Sequence, residues 1–108
     1  MTRGTIASEV FFAVRLERAG PWDFSRGLRE QEGWDEHAAF MDGLVEQGFI
    51  VLGGPLSDVE ILHAIRAADE QEVRARLAED NWAQNGMLTI VSIEPWTILL
   101  DGLGARDG

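Results

Sequence analysis

Residues 33–56, GWDEHAAFMDGLVEQGFIVLGGPL, decide the fold of this chain. Apolar residues recur at helical spacing over residues 34–47, which predicts an amphipathic helix with two acidic residues in its first turn. Gly48 predicts the end of that helix, residues 49–52 a short apolar strand, and Gly53-Gly54-Pro55 a turn. The stretch therefore supplies one helix–strand unit of a mixed α+β domain.

Three more strands are predicted outside this stretch. Residues 10–16 form the first, and its two largely apolar faces indicate that both sides of the strand are covered. Residues 60–67 form the third strand and residues 87–93 the fourth, which residues 96–100 extend or follow as a short fifth. Between the first strand and the first helix, residues 19–33 form a long connection that is functional or carries its own short helix.

A second helix is predicted to open at Asp69. Glu72 lies three residues further on, a spacing typical of a capping box. After this helix, Asp80 is placed to cap a short turn that ends near Gly86. The chain therefore closes with a helix, a turn and the fourth strand.

The order β-α-β-β-α-β is the ferredoxin-like pattern of the α+β class. It predicts an antiparallel sheet with both helices on one face. The other face is apolar and uncovered, so we expect a homodimer packed sheet to sheet. The predicted organisation is a leader over residues 1–8, one domain over residues 9–100 and a flexible tail over residues 101–108.

Composition excludes several function classes. The net charge of −10 argues against nucleic acid and anionic membranes as partners. The chain has no cysteine, which excludes disulfides, thiolate zinc sites and cysteine nucleophiles. Two histidines make a poor metal shell, so we expect neither a metal nor a cofactor. No apolar run reaches membrane-spanning length and no signal-peptide layout is present, so a cytoplasmic location is expected.

The topology gathers polar residues at one end of the sheet. His37 lies in the first turn of its helix, Asp80 follows the second helix, and the Gly-Gly-Pro segment belongs to the same end. A histidine oriented by a carboxylate is a general acid–base pair. Two structural interpretations stay open: His37 is a packing residue at a helix start, and Asp80 is only a helix cap.

Three tryptophans, Trp22, Trp34 and Trp82, are predicted near the same end. They are core residues or the walls of an apolar slot for a small aromatic molecule. The predicted pocket also contains Arg15, Gly54 and Pro55. His63 lies between isoleucines in the third strand, which favours a buried, hydrogen-bonded histidine in the dimer core over a catalytic one.

The sequence resembles the YCII-related family of small bacterial proteins over roughly residues 10–100. The similarity rests on FFAVRLER, WDEHAAFMDGLVEQG, FIVLGGPL, DNW and IEPWTILL. It implies a ferredoxin-like fold of the dimeric α+β barrel type, and an enzyme with a histidine–aspartate dyad. The family histidine corresponds to His37 and the aspartate of an Asp-Pro-aromatic motif to Asp80. Asn81 stands where that motif has proline.

Two hypotheses about function follow. The first is a metal-independent enzyme of the lyase or isomerase type, in which His37 moves a proton on a small cyclic or hydroxylated substrate. No nucleophile, redox cofactor site or metal shell is evident in the sequence. The second is a non-catalytic module of the same dimeric fold that binds a small molecule or supports assembly.

Overall fold

A computed structural model describes residues 10–103 of the chain. The predicted leader, residues 1–8, and residues 104–108 of the predicted tail lie outside this range. The described elements, in chain order, are β1 (Val10–Arg18), α1 (Trp34–Glu46), β2 (Ile50–Pro55), β3 (Glu60–Ala67), α2 (Glu70–Leu77), α3 (Asn81–Gln84) and β4 (Leu88–Pro95). A single 3₁₀ turn, Leu28–Glu30, lies in the long connection after β1.

The four strands form one antiparallel sheet in the order β2-β3-β1-β4. This is the strand order of the ferredoxin-like α+β fold, which confirms the predicted class. Alternate side chains of the central strands are buried on one face, as in Phe12, Val14 and Leu16 of β1. They pack with buried side chains of the helices, such as Leu44 of α1 and Val73 of α2.

The other face of the sheet carries the intervening residues. Phe11 and Ala13 of β1 and Leu62 and Ala64 of β3 are only half-buried there. No described helix covers them, because the alternation of a strand sends every second side chain away from the helices. Among residues 10–103, no helix has the length and apolarity needed to cross a bilayer.

The capping interactions predicted at the start of α2 are present. The Asp69 side chain accepts a hydrogen bond from the Glu72 N–H at 2.8 Å. The Glu72 carboxylate in turn accepts from the N–H of Ala68, also at 2.8 Å. Glu72 thus reaches one residue beyond the cap residue, and the two acidic side chains together satisfy two backbone donors at the helix start.

Two local predictions are wrong. Gly53-Gly54-Pro55 is not a turn, because β2 continues to Pro55, which pairs with Ile61, and the chain reverses over residues 56–59. An edge strand tolerates proline, since one of its sides needs no ladder donor. Residues 96–100 form no strand; β4 ends at Pro95, and only the Trp96 N–H continues the ladder, donating to Phe11 O at 2.9 Å.

Gly53 is required by the histidine opposite it. Gly53 and His63 are register partners on β2 and β3. A Cβ atom built on Gly53 would lie 1.9 Å from His63 Nδ1 and 2.7 Å from its Cε1. The imidazole ring therefore occupies the space above the glycine, and any side chain at residue 53 would displace it.

We predict that Gly53→Ala lowers the free energy of unfolding by about 1–3 kcal/mol, since the buried ring must leave its position. Gly54→Ala is the matched control, because no atom lies within 4 Å of a Cβ built there. It should change stability by less than about 0.5 kcal/mol. Urea unfolding of both variants measures the difference. Equal effects would contradict the close approach of His63 to Gly53.

Candidate functional site

The candidate site depends on hydrogen bonds from α3 to the backbone just before α1. Gly33, the residue before α1, has a φ of 81°, a left-handed conformation that favours glycine. Asn81 Nδ2 donates to Gly33 O at 3.1 Å, and Trp82 Nε1 donates to Glu32 O at 2.8 Å. The first residues of α3 thus fix the first turn of α1, in which the His37 N–H donates to Gly33 O at 3.0 Å.

Asp80 stands at the cap position of α3, but its side chain does not cap the helix. Only its backbone carbonyl serves α3, accepting from the N–H groups of Ala83 and Gln84 at 3.0 Å each. The carboxylate is directed to α1 instead. Its two oxygens lie 2.8 and 2.9 Å from His37 Nδ1, so the structure brings together two residues 43 positions apart.

Both members of this pair are buried. His37 is 8% exposed and Asp80 is 3% exposed. A buried carboxylate is stabilised by a donor, so Nδ1 of His37 carries the proton that faces Asp80. In the neutral ring this leaves Nε2 unprotonated and able to accept a hydrogen bond or a proton.

Tryptophans fix the plane of the His37 ring. Trp82 stacks on it with ring centroids 3.9 Å apart and an angle of 11° between the planes. Trp22 meets Trp82 edge-on at 5.1 Å, and Trp34 lies 6.0 Å from both His37 and Trp82. With Asp80 on one nitrogen and an indole on one face, the imidazole has little freedom to rotate.

His37 opens onto a cavity of about 170 Å³. Cavities of about 150 Å³ can hold benzene, so the space suits a ligand with a single ring. Its walls come from six helices and strands and from the connection after β1, and they are mainly apolar: Arg18, Trp22, Leu28, Trp34, His37, Met41, Gly54, Pro55, Ile61, His63, Trp82 and Leu88. A wider groove of about 440 Å³ borders Asp80 and His63 from the side of α2 and β4, but it does not reach His37.

Five of the six residues predicted for the pocket line this cavity: Trp22, Trp34, Gly54, Pro55 and Trp82. The sixth, Arg15, does not, because it is exposed on the opposite face of β1. Arg18 occupies the corresponding place. The alternation of β1 contains the signal for it, since residue 18 shares the face of Phe12, Val14 and Leu16, but the predicted strand ended at residue 16.

His63 differs from the prediction. It is buried, as predicted, but it lies on the helix-covered face and lines the cavity. Within residues 10–103 its Nδ1 has no hydrogen-bond partner. Burial is the main cause that lowers the pKa of His63 to about 4; nearby His37 acts in the same direction and Asp80 in the opposite one. His63 is therefore a neutral ring at neutral pH.

We predict that this histidine makes the protein sensitive to mild acid. Its pKa is about 4 in the fold against 6.5 for a free side chain. Between those values the unfolded chain binds a proton that the folded chain does not. The free energy of unfolding therefore falls as the pH decreases, by up to about 3 kcal/mol.

Denaturant unfolding at a series of pH values from 7.5 to 4 tests this prediction. His63→Leu should remove the contribution of this histidine, so the free energy of unfolding should depend less steeply on pH. The slope that remains comes from groups common to both proteins. Parallel profiles for the two proteins would contradict the assignment of a neutral, buried His63.

The sequence model of one protein family, the YCII-related domain, matches residues 14–97, which is most of the chain. The chain belongs to the YCII-related family. Neither the curated proteins nor the solved structures contain a significant match. Asn81, which stands where the family resemblance leads one to expect proline, is the first residue of α3, a position that accepts proline readily. In this member of the YCII-related family the residue instead contributes the hydrogen bond to Gly33.

Proposed function

We propose that this member of the YCII-related family is a small enzyme in which His37 and Asp80 act as an acid–base pair. The observation that carries the proposal is the position of the Asp80 carboxylate, which binds His37 Nδ1 rather than the free N–H groups of its own helix. The fold, the apolar cavity and the remaining ring nitrogen are consistent with proton transfer on a small cyclic or hydroxylated substrate.

The chemistry would be of the lyase or isomerase type. His37 Nε2 takes a proton from a substrate carbon, and the electron pair of the C–H bond moves into a new double bond. The Asp80 carboxylate stabilises the imidazolium that forms. In an isomerisation the existing double bond of the substrate shifts, and its electron pair takes the proton back at another atom; in an elimination a leaving group departs with its electron pair. The apolar walls limit access of water to the intermediate.

A non-catalytic module is the second candidate. The contact between His37 and Asp80 also ties α1 to α3, and the tryptophan rings around it are well packed. A protein that only binds a small molecule or supports assembly would keep the same contact for stability. Catalytic turnover distinguishes the two candidates.

We expect that a screen of small cyclic and hydroxylated compounds identifies one that the protein isomerises or cleaves by elimination. His37→Gln should abolish turnover, and Asp80→Asn, which keeps the shape but removes the charge, should lower kcat by about 10²–10⁴-fold. Asp42→Asn is the matched control, since Asp42 is exposed on α1. Turnover that survives His37→Gln would rule out the acid–base role.

The protonation pattern can be tested without a substrate. Nitrogen-15 NMR of the histidine side chains should show that the neutral ring of His37 carries its proton on Nδ1 and leaves Nε2 unprotonated. Asp80→Leu should allow the proton to occupy either nitrogen. A wild-type ring with its proton on Nε2 would contradict the proposed use of Nε2 as the base.

We also propose that the protein works in the cytoplasm, a reducing compartment whose proteins do not rely on disulfides, since the chain has no cysteine.

We further propose that the protein acts as a homodimer. Support for the dimer comes from the sheet face that the helices leave open. Phe11, Leu52 and Ala64 on that face, with Trp96 and Leu100 from the C-terminal segment, border a groove of about 560 Å³. A second copy packed sheet to sheet would cover these apolar groups.

Sedimentation should then give about twice the chain mass of 12.0 kDa at micromolar concentration. Leu52→Arg should favour the monomer, because it places a charge on the proposed interface. Val45→Arg, at a similarly exposed position on α1, should leave the dimer intact; the two wild-type side chains are 58% and 52% exposed. A monomeric wild type would refute the dimer.

A further inference from the structure

The cavity beside His37 contains one arginine. Arg18 is the last residue of β1 and lines the cavity together with His37 and Trp22. Its guanidinium lies over the Trp22 ring, 4.4 Å from the centroid. Its Nη1 donates to the backbone carbonyl of Asp58 at 3.0 Å. One indole face and one carbonyl thus hold the guanidinium in place.

This guanidinium lacks a carboxylate partner within residues 10–103. Its Nη1 is bound to Asp58 O, and among the described residues its buried Nε has no partner. Burial lowers the pKa of Arg18 while the charge of Asp58 raises it, and an arginine stays protonated throughout the physiological range. Arg18 therefore presents a positive charge with unused donors beside the cavity.

The charges around the cavity favour an anion. No acidic residue within residues 10–103 lines the cavity. The Asp80 carboxylate binds His37 Nδ1 and is not part of the cavity wall. A second guanidinium, that of Arg29, lies 5.8 Å from the centroid of the Trp34 ring, which forms another wall. In a protein with a net charge of −10, a cavity wall that contains a guanidinium and no carboxylate favours an anionic ligand.

We propose that the cavity binds a small, mainly apolar carboxylate, with its carboxylate on Arg18 and its apolar body against the tryptophans, facing His37. This assignment names the substrate class for the proposed function and rests on it for the chemistry, but not for the binding. A carboxylate matches the fork of a guanidinium, and a single ring matches a cavity of about 170 Å³. Neutral compounds of the same shape lack the contact with Arg18.

Benzoate and benzyl alcohol are matched probes, since they share the ring and differ in charge. Titration calorimetry, with tryptophan fluorescence as a second readout, should show that benzoate binds at least about tenfold more tightly than benzyl alcohol. Arg18→Gln should remove that preference, and Arg18→Lys should keep part of it. Arg26→Gln is the control for net charge, because Arg26 is exposed, pairs with Asp23 and does not line the cavity.

Circular dichroism and urea unfolding establish that each variant is folded. Equal affinities for the two probes, a preference that survives Arg18→Gln, or no binding of benzoate by the wild type would each overturn the proposal. His37→Gln separates this outcome from the proposed function: the preference for benzoate should persist in that variant even though turnover is lost. If His37→Gln loses turnover and keeps the preference for benzoate, the result supports both the proposed function and the carboxylate ligand. If the preference is lost while turnover remains, the result refutes only the carboxylate ligand.

Discussion

The contact between the Asp80 carboxylate and His37 Nδ1 is the interaction on which the rest of the site depends. It crosses from the start of α3 to the first turn of α1, with both side chains almost completely buried. Leaving a buried carboxylate without its partner costs about 3–5 kcal/mol, so the pair constrains the packing of the two helices. The same contact sets the tautomer of His37 and decides which nitrogen is left for a ligand.

α3 supports this contact with a second set of interactions. It has only four residues, Asn81–Gln84, yet two of its side chains bind backbone carbonyls just before α1. Trp82 also stacks on the His37 ring. α3 therefore positions His37 in three ways: it binds the backbone before α1, it stacks Trp82 on the imidazole ring, and the residue before it, Asp80, binds Nδ1. Such multiple support restricts the His37 ring to one geometry.

The two histidines differ in their surroundings. His37 has a charged partner, whereas His63 Nδ1 has no hydrogen-bond partner within residues 10–103 and lies above Gly53. The cavity thus has a paired histidine in one wall and a neutral one in another, with the Arg18 guanidinium beside them. An apolar ligand with one negative group matches this distribution of charge, since burial of an anion requires a cation or several donors.

Local patterns in the sequence determined most of the fold. Helical spacing predicted α1 to within one residue of its observed end, alternation predicted β3 with its observed bounds, and the Asp69–Glu72 spacing predicted the start of α2. The order of these elements then led to the strand order and to the end of the sheet where His37 and Asp80 lie. These features depend on neighbours in the chain or on chain order, and both can be read from the sequence.

Only the tertiary structure decided which partners the side chains take. Asp80 could cap α3 or bind His37, and the choice depends on a donor 43 residues away. Arg18 borders the cavity because β1 runs two residues further than its apolar pattern, to the pair that Arg18 forms with Leu88 of β4. β2 continues through Gly53, which pairs with His63 of the neighbouring strand. In each case a contact with a residue distant in sequence decides the outcome.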